Sequence, residues 1–118
     1  MAHDDCPVCA LYRRLAEVTG LLEDGWAWTN SMGALPPGLG GTIVQARDEV
    51  DQALALIGPV SRMVPGPQPA ALGRGLVTLR GELAGWLDVG TWAIVAPRAR
   101  QLRGWAYAVA GVHFTAGR

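Results

Sequence analysis

Two cysteines and two histidines are the residues of this chain with the clearest metal-binding chemistry. Cys6 and Cys9 stand three positions apart, His3 stands three positions before Cys6, and His113 lies near the other end of the chain. Thiolates and imidazoles are the usual ligands of tetrahedral zinc. A turn between the cysteines lets both sulfurs reach one ion, and amide groups at a helix start stabilise thiolates. The sequence therefore predicts a structural zinc site formed by these four residues.

Other interpretations of the same residues stay open. In one, Cys9 is a small apolar core residue, His3 belongs to a frayed terminus and His113 is an ordinary interfacial histidine. In others, an N-terminal aspartate replaces His3, two chains share the zinc, or water takes an open position on the metal, as in a small enzyme. A thiol–disulfide role is a further alternative, although the familiar redox motif follows a strand and no strand pattern precedes Cys6.

The first element expected to position these ligands is a helix over residues 7–23. Pro7 suits the first helical position, where its missing amide hydrogen costs nothing, and Gly25 suits the end of the helix. Apolar residues recur every three or four positions along one face: Val8, Leu11, Leu15, Val18 and Leu22.

A second helix is predicted to begin at Thr42, which forms a capping box with Gln45. Pro59 interrupts the apolar pattern because it lacks an amide hydrogen and crowds the preceding turn. The pattern nevertheless keeps its phase to Val64, so we expect a kink at Pro59 rather than the end of the helix.

Two further helices follow the proline-rich segment 65–69. The third has leucines at three- and four-residue spacing and is expected either to be divided at Gly90 and Thr91 or to run on to about Ala96. Pro97 is expected to start the fourth helix, which ends near His113. Trp86 and Trp92 are assigned to opposite faces of the third helix.

These elements predict an all-α fold, a small four-helix bundle with up-down-up-down order, in a single domain over residues 1–118. Residues 25–41, rich in Trp, Gly and Pro, are expected to form one long loop between the first two helices. In this topology the chain's two ends meet, so the metal-binding segment 1–9 lies beside His113.

The long loop has candidate partner-binding residues: Trp26, Trp28, Met32 and Leu35. Exposed aromatic side chains concentrate binding energy in protein interfaces. The alternative is that these side chains fold back and cover one end of the bundle, as tryptophan usually does.

Charge is balanced overall, with 10 basic and 10 acidic residues. Residues 1–58 have eight acidic residues against three arginines, whereas residues 59–118 have more arginines than acidic residues. The densest basic group is Arg98, Arg100 and Arg103 beside Trp105, which suits a nucleic acid backbone with one stacked base. The favoured alternative is a solvated face, or ion pairs with acids of the second helix such as Asp48.

The motifs of common enzyme classes are missing from the sequence, and no apolar run is long enough to cross a membrane. No secretory signal is recognised, so a cytoplasmic location is expected. We therefore expect a non-enzymatic adaptor that binds an unidentified protein partner. The alternatives are a metal-free, self-associating assembly subunit of a virus or mobile element, with a seam at Gly81 and Gly85, and a nucleic-acid-binding protein.

Overall fold

The computed structural model describes residues 6–35, 37–85 and 89–116, without the side chains of 89–90 and 113–116. The described residues form four helices and no strand, which confirms the predicted all-α four-helix bundle. The helices are α1 (Pro7–Met32), α2 (Leu39–Met63), α3 (Gln68–Ala84) and α4 (Val89–Ala116).

Each helix packs against the next one in the chain, and α4 closes the bundle against α1. Tyr12 near the start of α1 meets Tyr107 on the later part of α4, whereas Gly25 contacts Trp92 near the start of α4. These two helices are therefore antiparallel. Helices α2 and α3 are antiparallel as well, as the contacts Asp51–Arg80 and Ile57–Gly73 show. The contacts Gly75–Leu102 and Glu82–Arg98 show the same for α3 and α4.

The core is built from the faces that the apolar spacing predicted. All five positions named for the first helix are buried, and so are the leucines of the third. The remaining core residues come mainly from α2 and α4: Ala46, Val50, Ala53 and Val60, then Trp92, Val95, Ala96, Ala99, Leu102, Ala106 and Val109.

The predicted loop over 25–41 is much shorter in the structure, because α1 continues to Met32. Gly25 does not end the helix. Its hydrogen side chain is what allows the ring of Trp92 to pack against the α1 backbone. The helix ends instead at Gly33, which adopts a left-handed conformation with φ 68°.

The predicted capping box at Thr42 is wrong. Helix α2 begins three residues earlier, at Leu39, after the left-handed Gly38. The Thr42 hydroxyl donates to the Gly38 carbonyl over 3.4 Å, within a helix that has already begun. The expected continuation through Pro59 is confirmed, since α2 extends to Met63.

The predicted boundary between the last two helices is also wrong. Helix α3 ends at Ala84, and α4 begins at Val89 with Pro97 in its interior. Trp92 thus belongs to α4, while Trp86 lies outside the described residues. Burial explains why the helix passes through the proline: Trp92, Val95, Ala96 and Ala99 hold both sides of it in the core.

Candidate functional sites

The two cysteines lie at the start of α1, as the sequence predicted. Cys6 is the N-cap residue, and its carbonyl accepts a hydrogen bond from the Ala10 amide over 2.9 Å. Pro7 occupies the first helical position. Cys9 lies one turn further, half-buried like Cys6, and the two form no disulfide.

The thiols of Cys6 and Cys9 are close enough to interact directly. The pKa of Cys9 is raised, first by burial, then by a side-chain hydrogen bond with Cys6 and by the charge of Cys6. The positive charge of Arg13 opposes this shift. Cys9 is therefore protonated near neutral pH, and a metal ion that binds there must displace a proton.

The backbone of α4 extends past residue 113 at the same end of the bundle as the cysteines. The ring centroids of Tyr12 and Tyr107 are 6.0 Å apart. Cys6 lies six residues before Tyr12, and residue 113 lies six residues after Tyr107. Because the two helices are antiparallel, the backbone at residue 113 lies near the level of Cys6. The His113 side chain and all of His3 lie outside the described residues, and the described side chains contain no cluster of three potential metal ligands.

The four candidate partner-binding residues divide into two pairs. Trp26 and Leu35 are partly buried and pack against the core. Trp28 is 37% exposed and Met32 is 64% exposed. Three of the four lie on the last turns of α1 rather than in a loop.

Two of the three clustered arginines form ion pairs with acidic residues of the neighbouring helices. Nε of Arg98 lies 2.6 Å from a carboxylate oxygen of Glu82, and Nε of Arg100 donates to Glu23 over 2.7 Å. The expected pairing with acids of α2 is wrong, because α4 lies between α1 and α3. A nucleic acid would have to compete with these carboxylates for both guanidinium groups.

A surface that the sequence analysis missed lies on the outward side of α4. We call it the α4 outer strip. Its members are uncharged and exposed, and they recur at each turn of the helix: Ile94, Pro97, Gln101, the adjacent Gly104 and Trp105, Ala108 and Val112. Ile94 is 53% exposed, Trp105 42% and Val112 41%. The spacing is visible in the sequence, but treating Pro97 as a helix start divided it between two helices.

Two open depressions lie along this strip, one near each end. The first is lined by Ile94, Pro97, Arg98 and Gln101. The second lies where α4 meets the start of α3 and is lined by Gln68, Ala71, Trp105 and Ala108. The strip is therefore contoured, with a large side chain beside each depression.

The structure is therefore a small four-helix bundle with two neighbouring thiols at one end and the α4 outer strip along its last helix. Comparisons with protein-family models, curated proteins and solved structures find no match for the chain. Among the described residues, none of the helices has the combined length and hydropathy to span a bilayer.

Proposed function

We propose that this chain is a non-enzymatic interaction module that binds a macromolecular partner through the α4 outer strip. The observation that carries the proposal is the row of exposed apolar side chains along the strip: Ile94 is 53% exposed, Trp105 42% and Val112 41%. An exposed, contiguous surface with large apolar side chains is typical of an interaction site.

The outer face of α2 is the internal comparison for this argument. Its exposed positions include Arg47, Asp48 and Asp51. On that face Val44 is a single large exposed apolar residue among charged ones, whereas the strip on α4 places Ile94, Trp105 and Val112 in water along one row. A bound partner would remove these side chains from water.

Photo-crosslinking tests this role directly. A benzophenone amino acid replaces Gly104, where a side chain would meet no atom within 4 Å. The matched control replaces Ala55, an exposed residue on α2. In cells that make the protein naturally, we expect one defined adduct from position 104, identified by mass spectrometry, and none from position 55. Failure to cross-link at both Gly104 and Ala108 would reject the interaction role.

We also propose that Cys6 and Cys9 bind a structural zinc ion with His113 and His3 in the reducing cytoplasm. Support comes from the neighbouring thiols and from the level of the α4 backbone at residue 113. Such an ion would join the first turn of α1 to the last turns of α4. Zinc would stabilise the folded chain, because the unfolded chain has no preformed site.

Metal analysis of protein purified under reducing conditions tests the zinc proposal. We expect about one equivalent of zinc per chain and a lower melting temperature after chelation. The Cys6→Ser/Cys9→Ser variant should lose the zinc and its response to the chelator, and His113→Ala should weaken the binding. Less than half an equivalent of zinc per unmodified chain, together with a melting temperature unchanged by Cys6→Ser, would rule out the zinc site.

A further inference from the structure

We infer that Cys6 and Cys9 are a reversible oxidation site, where the two thiols close an intrachain disulfide by exchange with a low-molecular-weight disulfide. The inference adds a chemical reaction to the two neighbouring thiols at the start of α1. Formation of the disulfide does not depend on the proposed zinc site. Only its consequence for a bound metal rests on that site.

The positions of the two cysteines in the first helical turn bring their side chains together. Cys6 is the N-cap residue, with φ −83° and ψ 117°, and Cys9 is the third residue of the helix. The side chain of an N-cap residue folds back towards the third helical residue, where it commonly meets an amide or a side chain. The sulfur of Cys6 is therefore directed towards Cys9.

The contact between the two sulfurs is the observation that carries the inference. Among the described residues, the Cys6 side chain does not cap an amide of the first turn. A hydrogen bond joins it instead to the thiol of Cys9. Helical Cα atoms three residues apart are separated by about 5 Å, and disulfides require about 4.4–6.8 Å. Both the side chains and the backbone therefore suit an S–S bond.

The residues around the two cysteines hold the first turn in place. The ring of Pro7 fixes its φ angle, and Val8 is 1% exposed in the core. The amide of Ala10 donates to the Cys6 carbonyl over 2.9 Å. Because the backbone is already ordered, closing the disulfide requires movement of the two side chains alone and costs little conformational entropy.

The exchange is balanced in atoms and electrons. One cysteine, as a thiolate, attacks a sulfur of the small disulfide, whose S–S bond breaks and releases one small thiolate. The other cysteine gives its proton to water and attacks the mixed disulfide, which releases the second small thiolate. Two electrons pass from the cysteine sulfurs to the small disulfide, and the two protons end on the released thiols. Excess small thiol reverses both steps.

Both cysteines are half-buried, so a small reagent reaches them without unfolding of the bundle. Once closed, the disulfide occupies both sulfurs that the proposed zinc site requires as thiolates. Oxidation would therefore release the ion and remove its link between the first turn of α1 and the last turns of α4. Metal binding at this end of the bundle would then follow the redox state of the solution.

Equilibration with glutathione tests the reaction on the full chain. The chain is reduced, freed of metal with a chelator and mixed with reduced and oxidised glutathione in varied ratios. After alkylation, mass spectrometry should show one product that has lost two hydrogens and takes up no alkylating reagent. Mixed disulfides with glutathione should stay below about one tenth of the chains, because the neighbouring thiol displaces glutathione at a high effective concentration.

The matched control is Cys9→Ala/Ala16→Cys, which keeps the composition and moves the second thiol to another half-buried position of α1. It then lies about 15 Å from Cys6 along the helix, beyond the reach of a disulfide. This variant should bind glutathione on each cysteine and form the intrachain disulfide at least about tenfold less, with circular dichroism to confirm its helices. Cys9→Ser should stop at the mixed disulfide on Cys6.

The outcomes separate this inference from the zinc proposal. A metal-free chain that keeps both thiols, or that accumulates mixed disulfides as the control does, overturns the inference and leaves the zinc site standing. A chain that forms the disulfide but binds no zinc when reduced retains the inference and rejects the zinc site. In the zinc-loaded chain, oxidised glutathione should release the metal to a chromogenic chelator. Zinc retained by chains that contain the disulfide would overturn the link between oxidation and metal release.

Discussion

The indole ring of Trp92 lies against the backbone of Gly25, where α1 crosses the start of α4. A methyl group at Gly25 would lie 2.6 Å from the ring atom Cη2, far inside van der Waals contact, so the ring occupies the space of a side chain. Trp92 is fully buried and is the largest side chain of the core. This contact explains why a glycine stands inside a long helix.

Gly25→Ala is expected to destabilise the fold by about 1–3 kcal/mol, because the added methyl group displaces a rigid ring in a packed core. Chemical denaturation monitored by tryptophan fluorescence measures the change in the free energy of unfolding.

Gly20→Ala is the matched control on the same helix. Gly20 is exposed, and a side chain there would meet no atom within 4 Å. Alanine favours the helix, so this variant should gain about 0.5–1 kcal/mol. Equal effects of the two substitutions would contradict the packing of Trp92 against Gly25.

Thr19 joins α1 to α4 through a buried hydroxyl. Its Oγ lies 2.7 Å from the Leu15 carbonyl and 3.1 Å from the Ala99 carbonyl on α4. Thr19→Val removes the hydroxyl that contacts both carbonyls and should lower the free energy of unfolding by about 1 kcal/mol. Thr78→Val is the control, since Thr78 is exposed and donates only within its own helix to Arg74. If thermal denaturation shows equal losses for both variants, the cross-helix bond contributes nothing specific.

Two ion pairs between neighbouring helices should differ in their effect on stability. Arg14 is 3.0 Å from Glu49, whose side chain is only 13% exposed, whereas Arg80 pairs with Asp51, which is 50% exposed. Arg14→Gln leaves a largely buried carboxylate without its cation and should cost roughly 1 kcal/mol, discounted for the exposure of Arg14 itself.

Arg80→Gln should change stability by less than about 0.5 kcal/mol, because water screens an exposed pair. Urea denaturation at low and high salt compares the two variants. Equal losses for both pairs would mean that the burial of Glu49 is not the deciding factor.

The raised pKa of Cys9 predicts slow alkylation at neutral pH in the zinc-free protein. Only the thiolate reacts, and burial together with Cys6 holds the proton on the sulfur. The rate should therefore rise with pH over a higher range than that of an ordinary thiol, followed by mass spectrometry after iodoacetamide treatment.

Cys6→Ser is the informative variant for this profile. It removes the charge and the thiol hydrogen bond of Cys6 but leaves the burial of Cys9. The apparent pKa of Cys9 should move down towards the usual value while staying above it. An alkylation profile unchanged by Cys6→Ser would show that burial alone sets the thiol's pKa.

Much of the fold followed from the sequence. The spacing of Val8, Leu11 and Leu15 predicted the buried face of α1 because a helix brings every third or fourth residue to one side. Pro7 placed the cysteines at a helix start for an equally local reason, its missing amide hydrogen. The candidate zinc ligands could be named at this level, since their residue types and spacing set their chemistry.

The end of α1 and the boundary between α3 and α4 could not be predicted, because glycine and proline are local signals for the end of a helix. Gly25 and Pro97 lie inside helices because packing against other helices outweighs their weak helix propensity. Trp92 was therefore assigned to the wrong helix, and the α4 outer strip was divided in two.

The sequence by itself determined the number of helices, the buried faces and the position of the dithiol, because these depend on periodicity and on interactions between near neighbours. Only the tertiary structure decided that Trp92 packs on Gly25 and that the members of the α4 outer strip lie together on one exposed side of α4. Those features depend on which helices meet and which sides they leave to solvent, and that is a property of the packed bundle.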